Sequence, residues 1–260
     1  MAEGKADLGK TLVVDVGAAL TASFLVAPFM TVIDRSIIQN TAGVLPLKEG
    51  VKRGFIEYLT KPHKFFRRPE FFMVWGVYAA TYGTANFTES ICKFNDVDVQ
   101  MPKFLLTSTA NMAAGITKDR AFTRLFGLAK SKPLPTVTYL LFMLRDSLTI
   151  GAAFNLPSII ATYLVNSHGV NPDSAKTFTQ LTLPSAVQFL STPIHLSALD
   201  FYNRPGVTGG ERFALVRREY VKTVTARIGR IFPAFGIGQL SNMYFKGFYG
   251  KMLFPVAGSK

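Results

Sequence analysis

Six stretches of this 260-residue chain contain no Asp, Glu, Lys or Arg: Val16 to Ile33, Phe71 to Thr88, Phe104 to Thr117, Ser147 to Pro172, Thr177 to Leu199 and Ile231 to Phe245. A helix that crosses a bilayer needs about 20 mostly apolar residues, with a range of roughly 17 to 25. Four of the six stretches meet that length alone. The stretches 104–117 and 231–245 need a further turn that takes in charged neighbours. The alternative is a soluble all-helical protein with buried core helices, but 147–172 and 177–199 are too long and too free of charge for helices with a solvent face. No series of alternating segments of roughly ten residues is present, so a membrane barrel is not expected. The expectation is an all-α membrane protein.

Charged residues make up 17% of the chain, against roughly 25% in soluble domains, and the mean hydropathy is +0.24. Even so, 29 Lys+Arg against 16 Asp+Glu give a net charge of +13. Disorder is excluded by the aromatic and aliphatic content, and a disulfide scaffold by Cys92 being the single cysteine. Charge alone would admit nucleic acid, but the basic residues are sorted along the chain. Residues 48–70 hold seven, 118–132 five (Lys130 and Lys132 among them) and 200–230 seven, together 19 of the 29. The connections 89–103 and 166–176 hold only Lys93, Lys103 and Lys176. The positive-inside rule puts the basic connections on the retained side, with both termini opposite. The excess charge then speaks of topology and anionic lipid, and no nucleic-acid partner is expected. The first ten residues carry Glu3 and Asp7 and no apolar core, so no cleavable signal peptide is expected.

Small residues in Gly17 to Ser23 and Ser108 to Gly115 suit helices whose backbones approach closely within a bilayer. Residues 46–55 and 211–220 mix apolar and basic positions. They suit either short amphipathic helices on an anionic surface or solvated basic loops.

A longer period is visible in Asp34-Arg35, Asp119-Arg120 and Asp200 with Arg204, each at the end of an odd-numbered stretch, the aspartates lying 85 and 81 residues apart. Pro28 and Pro193 precede the first and third, where a kink is expected. On these residues, on Glu49-Gly50 with Phe55, on Leu144 to Ser147 and on Ala226 to Ala234, the sequence resembles the mitochondrial carrier family over residues 8–253. The resemblance implies one carrier-fold domain of six transmembrane helices in three pseudo-symmetric repeats (about 8–98, 99–176 and 177–253), with short amphipathic helices on the matrix side. It also implies the mitochondrial inner membrane rather than the outer, termini toward the intermembrane space, and bound cardiolipin.

The gate motif of that family is incomplete. The positions where a base should follow each acid fall on Ile37, Phe122 and Ala198, or on Asn203 if Asp200 is aligned, while His195 takes an acid position; only Arg124 matches a final base. Asp34, Asp119 and Asp200 are thus degenerate matrix-gate positions, with Arg35, Arg120 and Arg204 as nearby candidate partners, since an unpaired charge at membrane depth is expensive. Even-numbered stretches also lack the opposite gate; Glu89 and Lys93 are spaced as a helical ion pair instead.

Arg145, Asp146, Arg227 and Arg230 form the candidate solute-binding group, because a guanidinium near the midplane suits carboxylate capture. The competing reading is a structural cluster in which Asp146 pairs with an arginine. His63, His168 and His195 lack metal-ligand spacing and read as structural, and Gly236 and Gly238 follow no strand and make no dinucleotide loop. No paired carboxylates or nucleophile–base arrangement is present, so neither an enzyme nor a cofactor is expected. The main expectation is a structural or accessory subunit of an inner-membrane complex; the alternative is a divergent transporter of a small carboxylate- or amino-acid-like solute.

Overall fold

The computed structural model describes residues 8–126, 134–154 and 156–254. These are almost entirely helical and include no strand: α1 (Leu8–Thr41), α2 (Leu47–Thr60), α3 (Pro62–Phe65), α4 (Pro69–Phe94), α5 (Gln100–Phe126), α6 (Thr136–Phe154), α7 (Leu156–His168), α8 (Pro172–Asn203), α9 (Gly209–Gly229), a π-helical segment (Pro233–Gln239) and α10 (Leu240–Leu253). Glu3, Asp7, Lys130 and Lys132 lie outside the described residues.

Five of the six uncharged stretches fall on helix and π-helix. The stretch 147–172 falls on α6 and α7 as far as His168, where α7 stops: Gly169 takes a left-handed φ of +64, and the Asn171 side chain accepts from the backbone of Asp173 (3.0 Å) and Ser174 (3.3 Å) to start α8. Pro172 sits at the first turn of α8, where its missing N–H costs nothing. Among the described residues α1 is the one helix long and apolar enough, by length and composition, to cross a membrane, so the three-repeat bundle of six spans stays an expectation. The two basic amphipathic stretches are helical, within α2 and α9. Pro28 and Pro193 lie inside continuous helices.

Two compact units divide the chain, with boundaries inside helices: residues up to Val32, Phe55–Lys118 and Phe232 onward form one; Ile33–Gly54 and Asp119–Ile231 form the other. In the first, an aromatic cluster joins α1 to the α2–α4 corner. Phe24 stacks on Phe66 (5.2 Å) and meets Phe71 edge-on (5.4 Å), while Phe29 packs on Phe55 (5.9 Å). Pro62 and Pro69 open α3 and α4 and fix that corner, and Arg68 bridges Glu57 and Glu70 across it. The interior also holds charge. Asp15 of α1, fully buried, accepts from Ser90 (2.6 Å) and pairs with Lys246 of α10 (3.0 Å), while Asn86 and Asn242 exchange reciprocal amide bonds of 2.9 and 3.0 Å. The helices meanwhile turn Val13, Val16, Leu20, Leu105, Leu240 and Met243 outward. Buried polar groups beneath exposed large apolar side chains are the arrangement a lipid surround favours. The spacing of Glu89 and Lys93 does give a helical ion pair, at 2.6 Å, and Lys103 reaches the other oxygen of Glu89 at 2.7 Å.

The π-helical segment is held by Tyr82, whose hydroxyl donates to the Ala234 carbonyl at 3.2 Å. Gly238 makes room for it: a Cβ there would lie 2.0 Å from the Tyr82 hydroxyl oxygen. Gly238→Ala is therefore expected to destabilise the protein by about 1–3 kcal/mol, the usual cost of overpacking, and Tyr82→Phe in the same chain should recover part of the loss. Thermal unfolding of the single and double variants in detergent checks this.

In the second unit, α2 approaches α1 closely at Gly50, where a Cβ would meet the Ser36 hydroxyl at 3.0 Å. Glu49 pairs within its own helix with Arg53 (2.7 Å). Asn40 of α1 donates to Glu219 of α9 at 2.6 Å, and Arg218 does so at 2.8 Å. Burial pushes the Glu219 carboxyl up, but these donors and the neighbouring Lys222 and Arg218 charges outweigh it and hold the group below its ordinary 4.5. A depressed carboxylate contributes stability that is complete above 4.5 and fades as pH falls below that value. Between pH 5 and pH 3 the melting temperature should fall more steeply for the wild type than for Glu219→Gln.

Candidate solute-binding site

The site lies in the second unit and is built on α8. Pro193 has no N–H, so the carbonyl four residues earlier loses its helical donor; that carbonyl, of Phe189, accepts instead from the Tyr220 hydroxyl of α9 at 2.9 Å. A second tie between α8 and its neighbours runs from the Thr138 hydroxyl of α6 to the Ala198 carbonyl at 3.3 Å. α9 itself starts from a capping box: Glu211 N–H donates to the Thr208 hydroxyl (3.3 Å) and Thr208 N–H to the Glu211 carboxylate (2.9 Å).

On this scaffold Gln188, Ser191 and His195 are spaced i, i+3 and i+7, and so share one face of α8. All three are buried. Arg145 of α6 comes to that face at His195, its Nη1 donating to His195 Nδ1 at 2.9 Å. The same Nη1 donates to Asp119 of α5 at 2.6 Å, and Arg145 Nη2 lies 2.6 Å from Asp146. The Phe142 ring covers the guanidinium at 5.0 Å. One arginine thus ties α5, α6 and α8.

Arg227 of α9 comes to the same face one and two turns earlier. Its Nε donates to Gln188 Oε1 at 3.0 Å and its Nη2 to Ser191 Oγ at 3.1 Å. Arg227 is 6% exposed, yet no carboxylate among the described residues forms an ion pair with it. Arg145, Arg230, Asp119 and Asp34 all lie within electrostatic reach. Thr223, one turn earlier on α9, is fully buried, and its hydroxyl lacks the helical i−4 carbonyl bond that Thr31, Thr41, Thr123 and Thr179 make. Arg230 pairs with Asp34 of α1 at 2.6 Å.

Three guanidiniums and three carboxylates are therefore matched in number but not in place. Arg145 takes Asp119 and Asp146, Arg230 takes Asp34, and Arg227 takes none. A buried cation without a carboxylate is costly unless a ligand supplies one. The side edge of the Arg227 fork is held by α8, which leaves Nη1 as the end that can meet an anion.

The structure places Arg145 beside Asp146 and within electrostatic reach of Arg227, and it gives two of the aspartates arginine partners distant in sequence. Arg120 and Arg124 are exposed, and Arg35 lies over the Phe126 ring at 5.3 Å. The partners of Asp34 and Asp119 are Arg230 and Arg145, distant in sequence. Asp200 pairs with the expected Arg204 (2.7 Å), with Arg212 added at 2.7 Å. The missing bases at Ile37, Phe122 and Ala198 are buried apolar core. His195, expected to be structural, lies against Arg145 on this face, and Gln188, Ser191 and Thr223 were not among the expected site residues. The signal for Gln188 and Ser191 was their i, i+3, i+7 spacing with His195 within an uncharged stretch; Thr223 had none. His63 and His168 are exposed, and Cys92 is buried. No cluster of potential metal ligands is present among the described residues.

Buried ion pairs and polar strips beneath apolar outer faces define a helical membrane protein with a polar interior. A family model described as "Probable citrulline exporter" matches residues 18–248, and the chain belongs to that family. No curated protein and no solved structure matches it. The family overturns the resemblance to the mitochondrial carriers. The inner-membrane location, cardiolipin and complex partners were implications of that resemblance and do not follow from this family. The elements that suggested carriers have local explanations: Gly50 admits Ser36, Glu49 pairs with Arg53, and Phe55 packs on Phe29.

Proposed function

We propose that this protein exports a neutral, zwitterionic amino acid of the citrulline type across a membrane. Family membership supports transport of an amino-acid-like solute, and the single observation that carries the reading is Arg227, a buried guanidinium with no carboxylate of its own beside an arginine that has two. The solute's α-carboxylate takes the open end of Arg227, with the Thr223 hydroxyl within one helical turn. Its α-ammonium takes Asp146, relieving the doubly engaged Arg145. A zwitterion makes both exchanges without adding net charge to the interior, which a cation or an anion would do. The accessory-subunit reading rested on a degenerate carrier gate, and it has no such footing in a family that is not the carriers'.

The basic connections face the compartment in which the chain is made and lie against anionic lipid, with the termini opposite. No catalytic step is involved. Competition tests the recognition: unlabelled citrulline should inhibit efflux of labelled citrulline from reconstituted vesicles, whereas its methyl ester and its N-acetyl derivative, each lacking one charge, should not. Equal inhibition by all three would defeat the two-ended site.

A further inference from the structure

His195 Nδ1 accepts a hydrogen bond from Arg145 Nη1 at 2.9 Å, and a guanidinium has no acceptor of its own, so this nitrogen carries no proton in the structure. Nδ1 can hold the Arg145 donor or a proton, but not both. We infer that a proton and the solute bind to this site together, the proton on His195 Nδ1, so that export is proton-coupled.

The groups around His195 support this exchange. From α6, Arg145 and Asp146 face it, the second through the first, and the Phe142 ring packs on it at 5.9 Å; from α5, Asp119 shares the same Arg145 nitrogen. From α9, Arg227 sits on Ser191, one turn along α8, with Arg230 and its partner Asp34 within reach of Arg227. When the solute's carboxylate enters, it draws on Arg145 as well as Arg227, and Arg145 leaves Nδ1. The nitrogen then takes a proton from hydronium that reaches the site with the solute. The resulting imidazolium, with Nε2 already protonated, pairs with Asp119, whose share of Arg145 has been loosened. Release on the other side reverses the step: the proton returns to water and Arg145 to Nδ1. An O–H bond of hydronium breaks as the N–H bond on Nδ1 forms, the reverse occurs on release, and one positive charge crosses with the solute.

This inference rests on the proposed solute site. Its test is calorimetry of citrulline binding to the purified full-length protein near neutral pH, in buffers of different ionisation enthalpy. The expected result is a binding heat that varies with buffer, reporting proton uptake, in the wild type. In His195→Asn, which keeps an acceptor near the Nδ1 position, citrulline should still bind but the buffer dependence should vanish. A buffer-independent heat in the wild type, or undiminished proton uptake in His195→Asn, overturns the coupling and leaves the solute site standing. No binding by folded wild-type protein overturns the solute site itself, and the coupling with it.

Discussion

Arg227→Ala is expected to abolish export while the protein remains folded. The side chain makes two hydrogen bonds, to Gln188 and Ser191, and offsets no buried carboxylate of its own. Removing it therefore relieves a buried charge as well as breaking two contacts, and the effect on stability should be small or favourable. For solute the loss is large. Truncating one partner of a buried, hydrogen-bonded charge pair costs about 2–5 kcal/mol, a factor of roughly 30 to several thousand in affinity at about 1.4 kcal/mol per tenfold. Arg227→Lys keeps the charge but not the planar fork. It cannot hold Gln188 and Ser191 and still present a second nitrogen to a carboxylate, so it should recover little of the affinity. Equilibrium binding and thermal unfolding, measured on the same preparations, separate the two quantities.

Arg145→Met should behave in the opposite way. Here the arginine is the partner of Asp119 and Asp146, and its loss leaves the buried Asp119 carboxylate, the part-buried Asp146 carboxylate and the His195 acceptor without it. Breaking a buried pair in this manner costs about 3–5 kcal/mol, enough to lower the folded fraction of a marginally stable protein. Because the single variant can fail to accumulate, the informative comparison is with Arg145→Met/Asp119→Leu. Removing the most closely held carboxylate as well should restore a substantial part of the stability. The two arginines, similar in sequence context and equally buried, are thus assigned contrasting roles, Arg227 in function and Arg145 in holding three helices together. If Arg227→Ala unfolds the protein as readily as Arg145→Met, the assignment fails.

Much of the architecture was legible in the sequence, because missing charge is a local property. The uncharged stretches lie on helices, apart from the turn at Gly169, and the basic stretches around residues 50 and 215 are helical too. Arg145, Asp146 and Arg227 stood out for a similar reason: a charge inside an otherwise uncharged region requires a partner or a function. What the sequence hid was the identity of the partners. Arg230 lies 196 residues from Asp34, and Arg145 lies 26 from Asp119; neither pairing follows from helical periodicity. Arg120, next to Asp119, is exposed, since adjacent residues on a helix project about 100° apart. Gln188, Ser191 and Thr223 are ordinary helix residues until a guanidinium or a missing carbonyl bond marks them. The family resemblance misled for a related reason: an acid beside a base at a helix end, and a glycine where two helices touch, are what any closely packed polar-cored bundle needs.

The measurement that bears most directly on export through an Arg227 site is efflux of labelled citrulline from vesicles reconstituted with matched amounts of wild-type and Arg227→Ala protein, beside protein-free vesicles. Saturable efflux with the wild type, and a rate indistinguishable from protein-free vesicles with a folded Arg227→Ala variant, is the predicted result. Wild-type efflux no faster than that of protein-free vesicles, or a variant that exports as well as the wild type, would contradict it.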